Sequence, residues 1–307
     1  MGTKFPYIEA DNPHVRKLIV ANLVDAHRQV SPEFRRLGRQ WFPAVSQATE
    51  QSAQKYFGRS MGHLAAAGLV AAVSPNMDWD NHNFKAFQEL ASLPSHHWDA
   101  IEASAQLPGT RLPEVKEALA GLSINHAPDA NLVKAYRIMQ GEHPERVLDP
   151  RSAPKTYSFM HNIAGNTNLV TIDGRAHDLG ANRMVPWTMN RGIGSAQLKT
   201  GKPTRYEHFQ DAYQQAAGII SQMEGEETTP RDLQATLWEW GKAQERSGVT
   251  KKTGQPRKQG VFRQGQGYLP DRGAAVLAEP GQYEGEPSPV VGRSREQRRS
   301  RPARVSQ

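Results

Sequence analysis

The chain has 307 residues, a net charge of +7 and no cysteine. The lack of cysteine excludes disulfides, thiolate zinc sites, cysteine-bound iron–sulfur clusters and cysteine nucleophiles. The charge is uneven: residues 250–307 carry twelve Lys or Arg against five Asp or Glu, while residues 1–249 balance at 26 of each sign.

The start, Met1-Gly2-Thr3-Lys4-Phe5-Pro6, lacks the apolar stretch of a signal peptide. The longest apolar run, Leu64 to Val73, is far too short to span a bilayer. The expectation is a soluble, cytoplasmic protein with no membrane partner and no disulfide-linked partner. The first 249 residues read as one all-α domain, because apolar residues recur at helical spacing and period-2 strand patterns are almost absent.

His14 to His27 places Val15, Leu18, Ile19, Leu23 and Ala26 on one face, with Pro13 at the first turn. A second helix covers Glu33 to Tyr56, with Pro43 as a candidate breakpoint. Ser60 to Val73 is small and apolar, which predicts a buried central helix ending at Ser74-Pro75-Asn76. Asp80 to Leu90 turns Phe84 and Phe87 inward, and Pro94-Ser95 opens a helix with Trp98 and Ile101 on its apolar side. Pro113 to Leu119 and Asp129 to Met139 follow, stopped by Gly121 and Gly141. A helix opening at Lys155 comes next, then a loop, then the apolar run Val170-Thr171-Ile172 that delivers Asp173 to another helix start. Residues 180–204 are loop-like. Tyr206 to Met223 is amphipathic, and Thr228-Thr229-Pro230 caps a helix carrying Leu233, Leu237, Trp238 and Trp240. Past Thr250 the Gly, Gln, Pro and Arg content predicts a disordered basic tail, residues 250–307.

Lys155 and Asp173 are the pair that points to chemistry. Breaking an N-glycosidic bond builds positive charge on the sugar, which a nearby carboxylate stabilises. A desolvated lysine loses its proton more easily and can attack C1′. The same residues also have plain structural readings: Asp173 as a helix cap, Lys155 as a surface lysine. His177, four residues after Asp173, would share its helical face and could orient it, or serve as a core histidine.

The order of these pieces resembles the helix-hairpin-helix DNA glycosylase superfamily over roughly residues 60–180. The likeness lies in the apolar helix running into Ala71-Ala72-Val73-Ser74-Pro75-Asn76, the short helices that follow, the lysine-bearing helix and Val170-Thr171-Ile172-Asp173. It implies a two-lobed helical domain, DNA as partner, Lys155 as Schiff-base lysine and Asp173 as the catalytic aspartate. No cofactor is expected. One departure is plain. The family's glycine-rich hairpin, whose amides grip a phosphate, is replaced by Leu148-Asp149-Pro150-Arg151-Ser152-Ala153-Pro154. Arg151 could supply a charge there instead. Similar segments occur among phage proteins, and glycosylase-like folds also serve phage pathways that modify thymine. A base-modifying transferase, and a non-catalytic DNA-binding or packaging protein, are therefore the alternatives. A phage protein would work in the host cytoplasm.

Further candidates for nucleic-acid contact are Asn76, Trp79 and Gln234. Gln234 lies one helical turn from Trp238, on the same side. In the tail, Lys251, Lys252, Arg257 and Lys258 would neutralise phosphates without reading sequence. Asn76, Asp78, Asp80 and Asn81 lack the spacing of a calcium loop. No metal site is expected.

Overall fold

Prolines and short polar caps set most of the helix starts. In the computed structural model, Asn12 Oδ1 accepts the His14 N–H and Pro13 opens helix α1, Pro13–Gln29. Ser31 caps α2, Pro32–Phe57, with Pro32 at its first turn. The structure describes residues 10–58, 61–75, 79–107, 109–182 and 205–248, without the side chains of 79–84 and 244–248. The rest of the order is α3 His63–Val73, α4 Trp79–Ser92, α5 Ser95–Ala105, α6 Pro113–Ala118, a 3-10 turn at Ser123–His126, α7 Asp129–Met139, α8 Pro144–Val147, α9 Pro154–Ile163, α10 Gly174–Gly180, α11 Arg205–Glu224 and α12 Pro230–Gly248. Every regular element among the described residues is helical, and none is long and apolar enough to cross a membrane. The predicted loop over 183–204 and the predicted disordered tail lie outside the described residues.

Two clusters of buried apolar side chains hold these helices. The first surrounds α3, whose residues Ala66 to Val73 are buried on every face, as a run without polar residues requires. It gathers Phe42 and Val45 of α2, Phe87 of α4, Leu132 of α7 and Phe159 and Met160 of α9. The second joins Ile19 and Leu23 of α1, Phe209 and Tyr213 of α11, Leu233 and Leu237 of α12, and Val170 and Ile172. Helices α2 and α12 contribute to both clusters, Phe34 and Leu233 to one and Phe42 and Ala235 to the other.

Two expectations need amending. Pro43 does not divide α2, which is continuous from Pro32 to Phe57. A mid-helix proline forfeits one backbone bond at about 3 kcal/mol, and here Phe42 and Val45, buried on either side of it, hold the turn in place. Leu18, expected on the apolar face of α1, is 51% exposed, while Val20 and Val24 are buried in its stead.

A partly exposed charge network around the buried His27 joins α1, α2 and the end of α11. His27 is 3% exposed, and its Nδ1 lies 3.6 Å from Glu224 Oε1. Arg35 pairs with Glu224, and Arg39 with Glu226. Burial, then the Arg35 guanidinium, lowers the His27 pKa from 6.5 to about 4, against an opposing pull from Glu224. As pH falls, the unfolded chain takes up this proton near 6.5, whereas the folded chain resists until about 4. Stability contributed by neutral His27 is therefore lost between those two values as pH drops. Urea midpoints should reveal a loss of about 2 kcal/mol between pH 7 and 4.5 that His27→Gln abolishes. An equal pH slope in both proteins would refute it.

Candidate functional site

The segment between α9 and α10 is not helical, so its buried backbone groups need partners from elsewhere. Asn162 of α9 supplies several. It is fully buried, and its Nδ2 donates to the carbonyls of Asn166 (3.0 Å) and Leu169 (2.7 Å). Its Oδ1 accepts from Thr171 Oγ1 at 2.8 Å. From α11, the Tyr206 hydroxyl accepts the Ile172 N–H and donates to the Val170 carbonyl. Gln210 Nε2 donates to the same carbonyl and to Ser158 Oγ. Burial pushes the Tyr206 phenol well above its ordinary pKa, so it stays a neutral donor. This clamp fixes Asp173 relative to α9, and hence relative to Lys155. Asn162→Ala should cost about 2 kcal/mol, because it leaves buried carbonyls and a hydroxyl unpaired. Urea unfolding would measure it, and a loss below about 0.5 kcal/mol, the low end for a single hydrogen bond, would contradict the clamp.

Asp173 then serves two ends at once. Its Oδ1 caps α10 by accepting the Ala176 N–H at 2.8 Å. Its Oδ2 accepts the indole N–H of Trp238 at 3.0 Å. Both donors hold the carboxylate in one orientation. The cap reading is therefore correct, and it coexists with a place on a cavity wall.

That cavity measures about 130 Å³. It is lined by Trp41 and Phe42 of α2, Ser74 at the end of α3, Lys155 and Phe159 of α9, Thr171 and Asp173, and Gln234, Ala235 and Trp238 of α12. Its buried apolar walls, Phe42, Phe159 and Ala235, all belong to the first cluster. Lys155 and Asp173, eighteen positions apart, line the same space. Lys155 is exposed at the mouth and makes no hydrogen bond or ion pair among the described residues, so the desolvated lysine expected from sequence is not found. Gln234 is 6% exposed, and its Oε1 is buried without a hydrogen-bond partner among the described residues.

The walls are aromatic and ringed by cations. Trp41 lies 6.0 Å from Trp238 and 6.3 Å from Phe159, centroid to centroid. The Arg175 guanidinium and the Lys242 ammonium sit 4.8 and 4.9 Å from the Trp238 ring. Arg231 sits 5.5 Å from the Phe42 ring. Such stacking holds the cations close to the cavity wall.

The other expected site residues fall elsewhere. His177 is 1% exposed and turned into the second cluster, its ring 5.0 Å from Phe209 and its Nδ1 3.0 Å from Asp178 Oδ1. One helical turn carries it away from the cavity that Asp173 faces, and it is not among the lining residues. Arg151 is exposed on the turn between α8 and α9. In that turn Asp149 Oδ1 accepts the Arg151 N–H, and the Asp149 carbonyl accepts those of Ser152 and Ala153. The amides that would grip a phosphate in a glycine hairpin are consumed internally, beside a carboxylate. Asn76 lies outside the described residues, as do Lys251, Lys252, Arg257 and Lys258. Trp79 opens α4, with its side chain outside them. Among the described residues no group of three or more His, Asp or Glu could hold a metal ion.

Sequence reasoning missed Trp41, Phe42 and Phe159 as cavity walls. The adjacent aromatic pair before Pro43 was the available signal, since two bulky rings beside a helix-internal proline need a packed surface on both sides.

No curated protein and no solved structure matches the chain. A family model does match, over residues 7–245, a span that holds every residue lining the cavity. The chain belongs to that family, DUF7178, a family of unknown function.

Proposed function

We propose that the protein acts on a nucleobase in DNA, at the N-glycosidic bond, within the cavity shared by Lys155 and Asp173. One observation carries this reading: an amine and an oriented carboxylate line one aromatic-walled space. A base lying against Trp41, Phe159 and Trp238 would meet aromatic surfaces suited to stacking. The base would also close the mouth over Lys155 and strip water from its ammonium, a desolvation that the open mouth does not impose.

The chemistry follows from charge. As the C1′–N bond breaks, its electron pair leaves with the base nitrogen, which takes up a proton. Positive charge grows on the sugar, and Asp173 stabilises it. The Lys155 ammonium gives a proton to the departing base; its neutral Nζ, or water, then bonds to C1′ and passes a proton to Asp173, and for Lys155 that proton moves on to O4′ as the C1′–O4′ bond breaks. With Lys155 as the attacking group, the product is an imine with the opened sugar. The basic residues past 250 would add affinity without sequence preference.

Trapping tests the lysine step. Borohydride should reduce the imine on abasic-site DNA to a stable adduct, and Lys155→Ala should abolish it while leaving the fold unchanged, since the side chain is exposed. Adduct formation equal in both proteins would overturn Lys155 as nucleophile.

A second reading uses the same cavity for base modification by transfer. The turn at Asp149 to Ala153 favours it over repair-type cleavage, because its amides are occupied. Repair enzymes of this resemblance grip the backbone there.

A further inference from the structure

We infer that the cavity admits a single six-membered ring, so that its occupant is a pyrimidine, and that Gln234 reads the ring's polar edge. The inference rests on the base-processing reading above and adds which class of base is taken.

Volume sets the first limit. An engineered protein cavity of about 150 Å³ takes up one benzene ring. At about 130 Å³ the present cavity has room between its walls for one ring of that size, and the second ring of a purine would have to project through the open mouth. Its walls cannot withdraw easily: Phe42 and Ala235 are nearly fully buried, and Phe159 is 8% exposed.

Gln234 supplies the second observation. A buried carbonyl oxygen without a partner is costly, and leucine would fill the same space without that cost. The amide therefore has a use only when something polar enters. Gln234 lines the cavity, and its unpartnered Oε1 is buried beside Ala235 on the wall of α12. A glutamine amide offers an acceptor and donors side by side. That matches the adjacent N3–H and carbonyl of thymine or uracil, and, with the amide reversed, N3 and the amino group of cytosine. Phe42, Phe159 and Trp41 would form the wall against which the ring lies, and Asp173 would face the sugar side.

The test measures binding rather than chemistry. Full-length protein is titrated with duplexes carrying one unpaired central base, T, C, A or G, and tryptophan fluorescence is followed, since Trp41 and Trp238 line the cavity. Pyrimidine duplexes should bind about tenfold tighter than purine duplexes. Weaker stacking already helps a pyrimidine leave the helix, so the decisive arm is the dependence on Gln234. Gln234→Leu keeps shape, and Gln234→Glu keeps shape and one acceptor but loses the donor. Either folded variant should reduce the preference to that of unstacking alone. Purine duplexes binding as tightly as pyrimidine ones, or a preference unchanged in a folded variant, would overturn the inference. Failure to bind any of these duplexes would instead overturn the base-processing reading itself.

Discussion

Asp173→Asn should lower the rate of base processing about 10³-fold while the protein stays folded. The magnitude is that of removing a positioned carboxylate from a charge-developing step. Stability should hold because asparagine caps helices nearly as well as aspartate, so the Ala176 N–H keeps an acceptor. The variant isolates charge, since size and shape are almost unchanged. Trp238→Phe makes a useful companion. It removes the indole N–H that reaches Asp173 Oδ2 and keeps an aromatic wall. If Trp238 only positions the carboxylate, its loss should cost rate and leave DNA affinity unaltered. A fully active Asp173→Asn protein would remove the carboxylate from the mechanism.

Gly38→Ala should destabilise the fold by more than ~3 kcal/mol, a large share of the roughly 5–15 kcal/mol that a domain has. Helices α2 and α12 cross at this residue. A Cβ on Gly38 would lie 2.1 Å from Thr236 Oγ1 and 2.4 Å from Thr236 Cα. The hydroxyl could rotate away, but the backbone atom cannot, so the helices would have to part. That movement would also open the cavity, since Trp41 and Gln234 sit within a turn of the crossing. Gly218→Ala is the contrast. Gly218 lies in α11, and a Cβ there would meet nothing within 4 Å, so the same substitution should stabilise by about 0.5–1 kcal/mol through helix propensity. Urea unfolding of both variants checks the pair. Equal effects would refute the close crossing.

The helices were legible because the sequence punctuates them. Proline or a short polar residue opens α1, α2, α6, α9 and α12, and glycine follows α7, as a chain of amphipathic helices requires. Pro43 misled because tertiary packing, which no local pattern records, holds α2 together. The site was half legible. Lys155 and Asp173 could be paired from their spacing, and Gln234 from its position one turn before Trp238. Their common cavity could not be read, because it is assembled from α2, α3, α9 and α12 at large separations along the chain. Of the two readings of His177, the core histidine holds: Asp173 stands at the cap, and the helix turns His177 into the core against Phe209. The Asn162 clamp left no sequence signature at all, since its partners are mostly backbone carbonyls.

The base composition of DNA before and after incubation with the protein tests the central proposal most directly. DNA would be digested to nucleosides and weighed by mass spectrometry, with and without added amino acid or amine as acceptor. The wild-type protein should release or alter one pyrimidine, and the Asp173→Asn protein should leave the composition unchanged on the same timescale. Unaltered DNA with the wild-type protein under every condition, or equal change with both proteins, would contradict the account.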